Sequence, residues 1–231
     1  MGQQDIQTLR NDTLAVIGEG KGSSSRAMVV QFMLQQGADV QQVHPQEEIT
    51  PLYRAISNGD VLLVRMLVKA GSDVNHVCTI RGETPLQCAA EANVETIRIL
   101  IEAGADVNHV NANDGWTPLL ESTQEHHVEA VQSLIEAGAD LNAVTKRGET
   151  PLGIACYWSC LEVVRVLVNS GADVNQRCCP SSQHVQPSVT PLEMAQLNKR
   201  TNMNGSHIIL REKVVELLVA AGAQVTCSSW R

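Results

Sequence analysis

Residues 150–175 read TPLGIACYWSCLEVVRVLVNSGADVN. Thr150 before Pro151 is a helix start: the hydroxyl can cap free backbone N–H groups, and proline at the first helical position has no N–H to leave unpaired. Gly171 after an apolar run is a helix stop, because glycine takes a left-handed backbone without a Cβ clash. Between them Val163, Val164, Leu167 and Val168 recur at helical spacing and predict one buried stripe. The stretch therefore reads as two short helices joined by a tight turn. Such a hairpin cannot bury its apolar faces alone and needs neighbours stacked on both sides.

The neighbours are in the same chain. Thr-Pro-Leu occurs at Thr50, Thr84, Thr117, Thr150 and Thr190, in steps of 34, 33, 33 and 40 residues. Gly-Ala-Asp or a close variant begins at Gly37, Gly71, Gly104, Gly138, Gly171 and Gly222, and the steps from Gly37 to Gly171 are 34, 33, 34 and 33. Two independent markers with one period define a tandem repeat.

Thr150-Pro151-Leu152-Gly153-Ile154-Ala155-Cys156 is similar to the T-P-L-H-x-A-A run of the ankyrin-repeat family. Gly171-Ala172-Asp173-Val174-Asn175 matches the G-A-D-V-N that closes one ankyrin repeat and opens the next hairpin. The resemblance covers about residues 10–226. It implies an all-α ankyrin-repeat solenoid of stacked helix-turn-helix units with projecting β-hairpin or turn fingers. The expected parts are an N-terminal tail at 1–7, an atypical capping repeat at 8–44 and repeats at 45–78, 79–111, 112–144 and 145–178. An extended hairpin with a sixth, capping repeat at 179–226 and a tail at 227–231 complete the chain.

Departures from the pattern are specific. The first unit has no Thr-Pro-Leu, and GEGKGSSS at 18–25 widens its inter-helix turn. The third unit runs 20 residues from Thr84 to Gly104 where the second, fourth and fifth run 21, which predicts a missing turn residue. The last unit runs 32, so 11 residues are inserted, centred on the polar 198–206 (NKRTNMNGS). Upstream, the hairpin around 177–189 is about six residues longer than its counterpart. The last unit ends in Gln224-Val225-Thr226 without Asp-Val-Asn, as a solvent-facing cap should.

Composition agrees with thin layers. Of 231 residues, 43% are hydrophobic and 18% charged, which excludes a disordered or collagen-like chain. Aromatics number six (Phe32, three Trp, two Tyr), so the core must come from Leu, Val, Ile and Ala. Seventeen basic against 25 acidic residues give a net charge of −8, which argues against nucleic acid as partner. No run of about 18 apolar residues predicts membrane insertion. Residues 1–10 lack the apolar core of a signal peptide, and Ile6 stands where myristoylation wants Ser or Thr. Asn11-Asp12-Thr13 and Asn204-Gly205-Ser206 match the glycosylation acceptor pattern, by chance if the chain is not secreted. Seven cysteines, an odd number, fit reduced thiols in the cytoplasm or nucleus.

Catalytic and ligand motifs are weak. Gly18-Glu19-Gly20-Lys21-Gly22-Ser23 lacks the first glycine of a phosphate loop and the Ser or Thr directly after lysine. Cys156 and Cys160, and the adjacent Cys178 and Cys179, do not form paired zinc-ligand spacings. Cys156 is expected to pack in an inner helix, and Cys178 and Cys179 to be exposed in the long hairpin. His127 sits at an inter-helix turn where the resemblance implies a structural histidine. No nucleophile, base and orienting group converge, so no catalytic residue, metal or cofactor is expected. Arg54 and Glu121, in mid first helix, are expected to be partly exposed. Asn75, Asn108, Asn142 and Asn175 are expected to hold their hairpin turns through side-chain to backbone hydrogen bonds. The resemblance also implies that such asparagines can be substrates of an asparaginyl hydroxylase.

What remains is binding. The resemblance implies a concave face built from hairpin tips and first helices. The matching positions are Ile80, Arg81, Glu83, Glu91 and Ala92, then Asn113, Asp114, Trp116, Gln124 and Glu125, then Lys146, Arg147, Glu149, Tyr157 and Trp158. Trp, Tyr and Arg are frequent interface anchors, though Trp116 or Trp158 packed on a neighbouring repeat is the alternative. From Glu83 to Glu136 ten acids face Arg98 alone, a net of −9 that leaves the rest near +1. A partner with a basic segment would be steered there; a solvated acidic face that aids solubility is the bland alternative. The chain is thus expected to be a monomeric, non-enzymatic protein-interaction module, acting as adaptor, scaffold or inhibitor. A substrate-recruiting subunit of a larger assembly, such as a ubiquitin ligase, is the second reading. An enzyme whose site is formed by the insertions is a third, without a motif to support it.

Overall fold

A computed structural model describes residues 23–43, 48–91, 93–179, 188–197 and 205–224. The tails, most of the 18–25 loop, Ala92, and the central parts of the 177–189 and 198–206 segments lie outside the described residues. The chain divides into two compact units, Met1–His109 and Val110–Arg231. Unit 1 holds α1 (Ser23–Gln35), α2 (Pro51–Ser57), α3 (Val61–Lys69), α4 (Pro85–Ala90) and α5 (Val94–Glu102). Unit 2 holds α6 (Pro118–Gln124), α7 (Val128–Glu136), α8 (Pro151–Tyr157), α9 (Leu161–Asn169), α10 (Pro191–Leu197) and α11 (Gly205–Ala220).

Each Thr-Pro-Leu starts a first helix as its chemistry requires. The hydroxyls of Thr50, Thr84, Thr117, Thr150 and Thr190 accept from the backbone N–H three residues on, at 3.1 to 3.4 Å. Gln87 and Glu193 return the bond to the Thr84 and Thr190 N–H groups, closing two capping boxes. The stops are equally local. At the end of α9, Gly171 has φ +94°. Its N–H reaches Val168 O at 3.1 Å, while the Ala172 N–H reaches Leu167 O at 3.0 Å. That double closure is the Schellman motif, and it needs a residue free of the Cβ penalty.

First and second helices form two layers in each unit. In unit 1, α2 packs on α4, and α3 packs on both α1 and α5. In unit 2, α8 packs between α6 and α10, and α9 between α7 and α11. The apolar stripes face inward: Leu63, Val64 and Leu67 in α3, Ile97 and Leu100 in α5, Val131 and Leu134 in α7, Val163, Val164 and Leu167 in α9. Val168, expected in the last stripe, is only half-buried. The missing residue of the third unit comes from the helix, not the turn. α4 has six residues where α2, α6 and α8 have seven.

Among the described residues the fingers show isolated bridges and no strand. Cys78 with Glu83 and Cys178 with Val189 make isolated antiparallel bridges. In unit 2 successive fingers lie against each other: the Lys146 N–H donates to Asp114 O and the Cys179 N–H to Gly148 O, both at 2.8 Å. Gly115 permits this approach, since a Cβ there would lie 2.7 Å from Lys146 N.

The hairpin asparagines work between repeats more than within them. Their own turns are held by the preceding aspartates, whose carboxylates accept from the Asn75, Asn108, Asn142 and Asn175 N–H groups at 2.8 to 2.9 Å. Asn75 donates to Gly104 O and accepts from the Asp106 N–H one repeat on. Asn142 accepts likewise from the Asp173 N–H, and Asn175 from the Gln224 N–H. An amide with both a donor and an acceptor can tie the next turn in this way.

Candidate functional site

The residues before the Thr-Pro-Leu runs are buried or half-buried, and this changes the expected surface. Glu149, expected at the contact face, is only 4% exposed, and its carboxylate accepts from the Thr145 hydroxyl at 3.1 Å. Glu83 and Trp116 are half-buried, and Val189 is buried. The finger base explains it: the Thr145 N–H donates to Glu149 O at 3.0 Å and the Glu149 N–H to the Thr145 hydroxyl at 3.1 Å, so residue 149 is tied down where the finger closes. By contrast Ile80, Arg81, Asn113, Asp114, Lys146 and Arg147, at the finger tips, are exposed. Lys146 Nζ donates to Ala112 O at 2.6 Å, so this cation also ties two fingers together.

At the other end of the first helices, Glu91, Glu125 and Trp158 are exposed and Gln124 and Tyr157 half-buried. Three of these converge. Trp158, at the C-cap of α8, is 43% exposed and donates from Nε1 to Gln124 Oε1 at 3.3 Å. Its ring meets Tyr157 edge-on at 5.2 Å and His126 at 5.9 Å. His126, not among the expected contact positions, is set by a left-handed backbone (φ 60°) and by Nδ1 lying 3.2 Å from Thr123 O. Its chain neighbour His127 is the α7 N-cap residue and makes no side-chain cap bond. Trp158 therefore does both things the sequence left open: it packs on the neighbouring repeat and keeps an exposed face.

In unit 1 a groove gathers Ile80, Arg81 and Glu91, expected at the contact face, with Tyr53, Arg54 and Cys88, which were not. It measures about 570 Å³ and is lined by residues of α2, α4 and the 78–83 finger, among them Tyr53, Arg54, Ile80, Arg81, Cys88 and Glu91. Arg54 is half-buried there, as expected of a mid-helix position. The Tyr53 hydroxyl donates to Glu83 Oε2 at 2.7 Å, with the Arg81 guanidinium 3.9 Å from the same oxygen. Burial, with Cys88 and Glu83 alongside, holds the Tyr53 phenol protonated well above its ordinary range. The neighbouring Tyr53 and Glu83 keep Arg81 firmly charged.

The described cysteines are buried or half-buried. Cys156 is fully buried, and Cys178, expected to be exposed, is 1% exposed. Cys178 Sγ donates to Val189 O at 3.4 Å and fills the space that Gly153 leaves. Cys179, also expected to be exposed, is half-buried, with its sulfur against Gly148. Burial pushes the Cys88 thiol up to about 11 and the Cys178 thiol up to about 12. At pH 8, Cys88 then carries roughly a hundredfold less thiolate than an ordinary cysteine, so iodoacetamide labels it correspondingly slowly in the folded chain and at the normal rate in denaturant. Rapid labelling of Cys88 in the native protein would contradict this burial. Because folding favours the protonated thiols, their contribution to stability is full below pH 9 and declines as the pH rises from 9 toward 11 and the unfolded thiolates form.

Among the described residues no group of three or more His, Cys, Asp or Glu side chains is gathered for a metal ion, and no helix is long and apolar enough to cross a membrane. The comparison with curated proteins returned no match. A family profile described as ankyrin repeats (3 copies) matches residues 22–111 and 108–178. These matches cover the Thr-capped first helices α2, α4, α6 and α8 and the stacked second helices α1, α3, α5, α7 and α9. With the capped helical hairpins, the two-layer stacking and this match, the chain belongs to the ankyrin-repeat family.

Proposed function

We propose that the chain is a non-catalytic protein-interaction module that binds a partner protein through the surface of its first helices and fingers, as an adaptor, scaffold or inhibitor. Ankyrin repeats commonly mediate protein–protein interaction, and the observation that carries the reading here is Trp158. Its indole is exposed yet already fixed by Gln124, Tyr157 and His126. A side chain held in place before binding loses little rotamer freedom on contact, and Trp is the residue type most often found as an anchor. Glu125, exposed at the α6 C-cap, lies one residue from His126. With the acidic 83–136 span, this exposed carboxylate supports a partner with a basic segment. The finger tips Asn113, Asp114, Lys146 and Arg147 and the half-buried Trp116 and Tyr157 extend the same surface. The odd number of cysteines, seven, supports a reducing compartment, cytoplasm or nucleus.

The test is affinity capture with wild type and Trp158→Ala at matched concentrations, after circular dichroism establishes that both melt alike. Partner recovery should fall about tenfold with the variant, the loss of one anchor, and should fall for both proteins as salt is raised. Equal recovery by the two proteins would overturn the assignment.

A further inference from the structure

We propose that His126 is a specificity-determining contact of the Trp158 surface, where its Nε2 accepts an N–H from a lysine or arginine of the partner. This inference rests on the interaction function above and deepens it, by naming the atom that reads the partner's donor. The backbone is the first sign. His126 has φ +60°, a left-handed conformation that glycine takes freely and that a Cβ disfavours. Gly59 fills the same inter-helix position two repeats earlier, at φ +67°. Ser159 fills it one repeat later at φ +57° but is buried, whereas His126 is exposed. A strained residue that shows its side chain to solvent, where glycine would sit unstrained, points to a role for that side chain.

The ring's hydrogen bond decides what that side chain offers. Nδ1 lies 3.2 Å from Thr123 O. A carbonyl oxygen only accepts, so Nδ1 carries the hydrogen, and in a neutral imidazole Nε2 is then the acceptor. Among the described residues Nε2 has no hydrogen-bond partner. The bond to Thr123 and the edge contact with Trp158, 5.9 Å and 67°, hold this acceptor in place beside an exposed indole. Charge selects the donor. From Thr117 to Glu129 the chain carries Glu121, Glu125 and Glu129 and no lysine or arginine. From Thr150 to Glu162 the only charged residues are Glu149's successor repeat acid Glu162 and no cation, and Glu162 is 3.6 Å from Arg165. Glu125 and Glu129 are exposed and make no ion pair among the described residues. Amides and hydroxyls also donate, but only a cation gains from these carboxylates as well. An acidic side chain would set a second acceptor against Nε2 and add like charge.

The experiment pans a phage library of random short peptides on the full chain, then measures the enriched peptides on His126→Phe, His126→Gln and Trp158→Ala. Phenylalanine keeps a ring against Trp158 and has no acceptor; glutamine keeps an acceptor and has no ring. Melting establishes that each variant folds. If His126→Phe melts lower, His126→Asn replaces it, since asparagine is at home in the left-handed region and does not reach the Nε2 position. Peptides enriched on wild type should carry Arg or Lys and bind about tenfold more weakly to His126→Phe, the loss of one charge-assisted hydrogen bond. His126→Gln should weaken them less. Enriched peptides without Arg or Lys, or equal binding to wild type and His126→Phe, would overturn the proposal. So would a loss on His126→Gln as large as that on His126→Phe, which would assign the effect to the ring. Peptides lost on Trp158→Ala but indifferent to position 126 defeat the His126 assignment and leave the interaction function standing. Absence of any enriched peptide also defeats it, while partner capture with Trp158→Ala decides the function separately.

Discussion

Leu167→Ala should destabilise the protein by about 3 kcal/mol, within the roughly 2–5 kcal/mol that a truncated buried leucine costs through lost transfer energy and the cavity left behind. Leu167 is fully buried in α9, the helix that packs between α7 and α11. Its carbonyl also receives the Ala172 N–H at the helix stop. In a stack each layer is stabilised only by its neighbours, so the damage should not remain local. The α10–α11 pair should lose its footing before the α6–α7 pair, and chemical denaturation should broaden with a lower m value as cooperativity breaks. Arg165→Ala, two residues away with its side chain 52% exposed, should change stability by less than about 0.5 kcal/mol. Equal effects at 165 and 167 would mean that the α9 stripe does not carry the stack.

Gly153→Leu should cost about 3 kcal/mol, the upper end of ordinary overpacking, although Leu120 occupies the same helical position one repeat earlier and is fully buried there. The difference is the finger that follows. A Cβ at Gly153 would lie 2.6 Å from Cys178 Sγ and 3.1 Å from Cys178 Cβ. Cys178 cannot step aside, because its backbone is bonded in both directions to Val189 at 2.7 and 2.8 Å. Gly153→Ala gains about 1 kcal/mol of helix propensity and still meets the sulfur, so it should be mildly destabilising. In a Cys178→Ala background the 2.6 Å contact disappears, and the same Gly153→Ala change should become neutral or stabilising. That reversal, read as a double-mutant cycle in urea melts, isolates the contact. A persistent cost in the Cys178→Ala background would place the strain elsewhere.

The contrast between these two positions marks what the sequence could reveal. Caps, stops and stripes are local, so Thr150, Gly171 and Leu167 announced their roles through spacing alone. Pairings across one repeat are not local. Tyr53 with Glu83 are separated by 30 residues and Gly153 with Cys178 by a similar distance. In both cases the third helical residue faces the following finger, filled by Tyr53 in one repeat and left empty by Gly153 in another. A periodic pattern does not display that complementarity, which is why Cys178 was expected outside and is found inside. Glu149 shows the same limit: repeat register put it at the contact face, while the finger base turns out to hold it against the Thr145 hydroxyl. Trp158 and Gln124 could be placed by repeat register, whereas His126 joined them only through its left-handed backbone.

Site-specific photocrosslinking reads out whether a partner protein is bound through the surface around Trp158. A benzophenone amino acid placed at 125, beside the intact Trp158, and, separately, at the exposed second-helix position 165 reports which surface the partner touches. A crosslinked partner is expected from position 125, competed by unlabelled wild type, and none from position 165. A crosslink from 165 and not from 125 would show that the partner sits on another face.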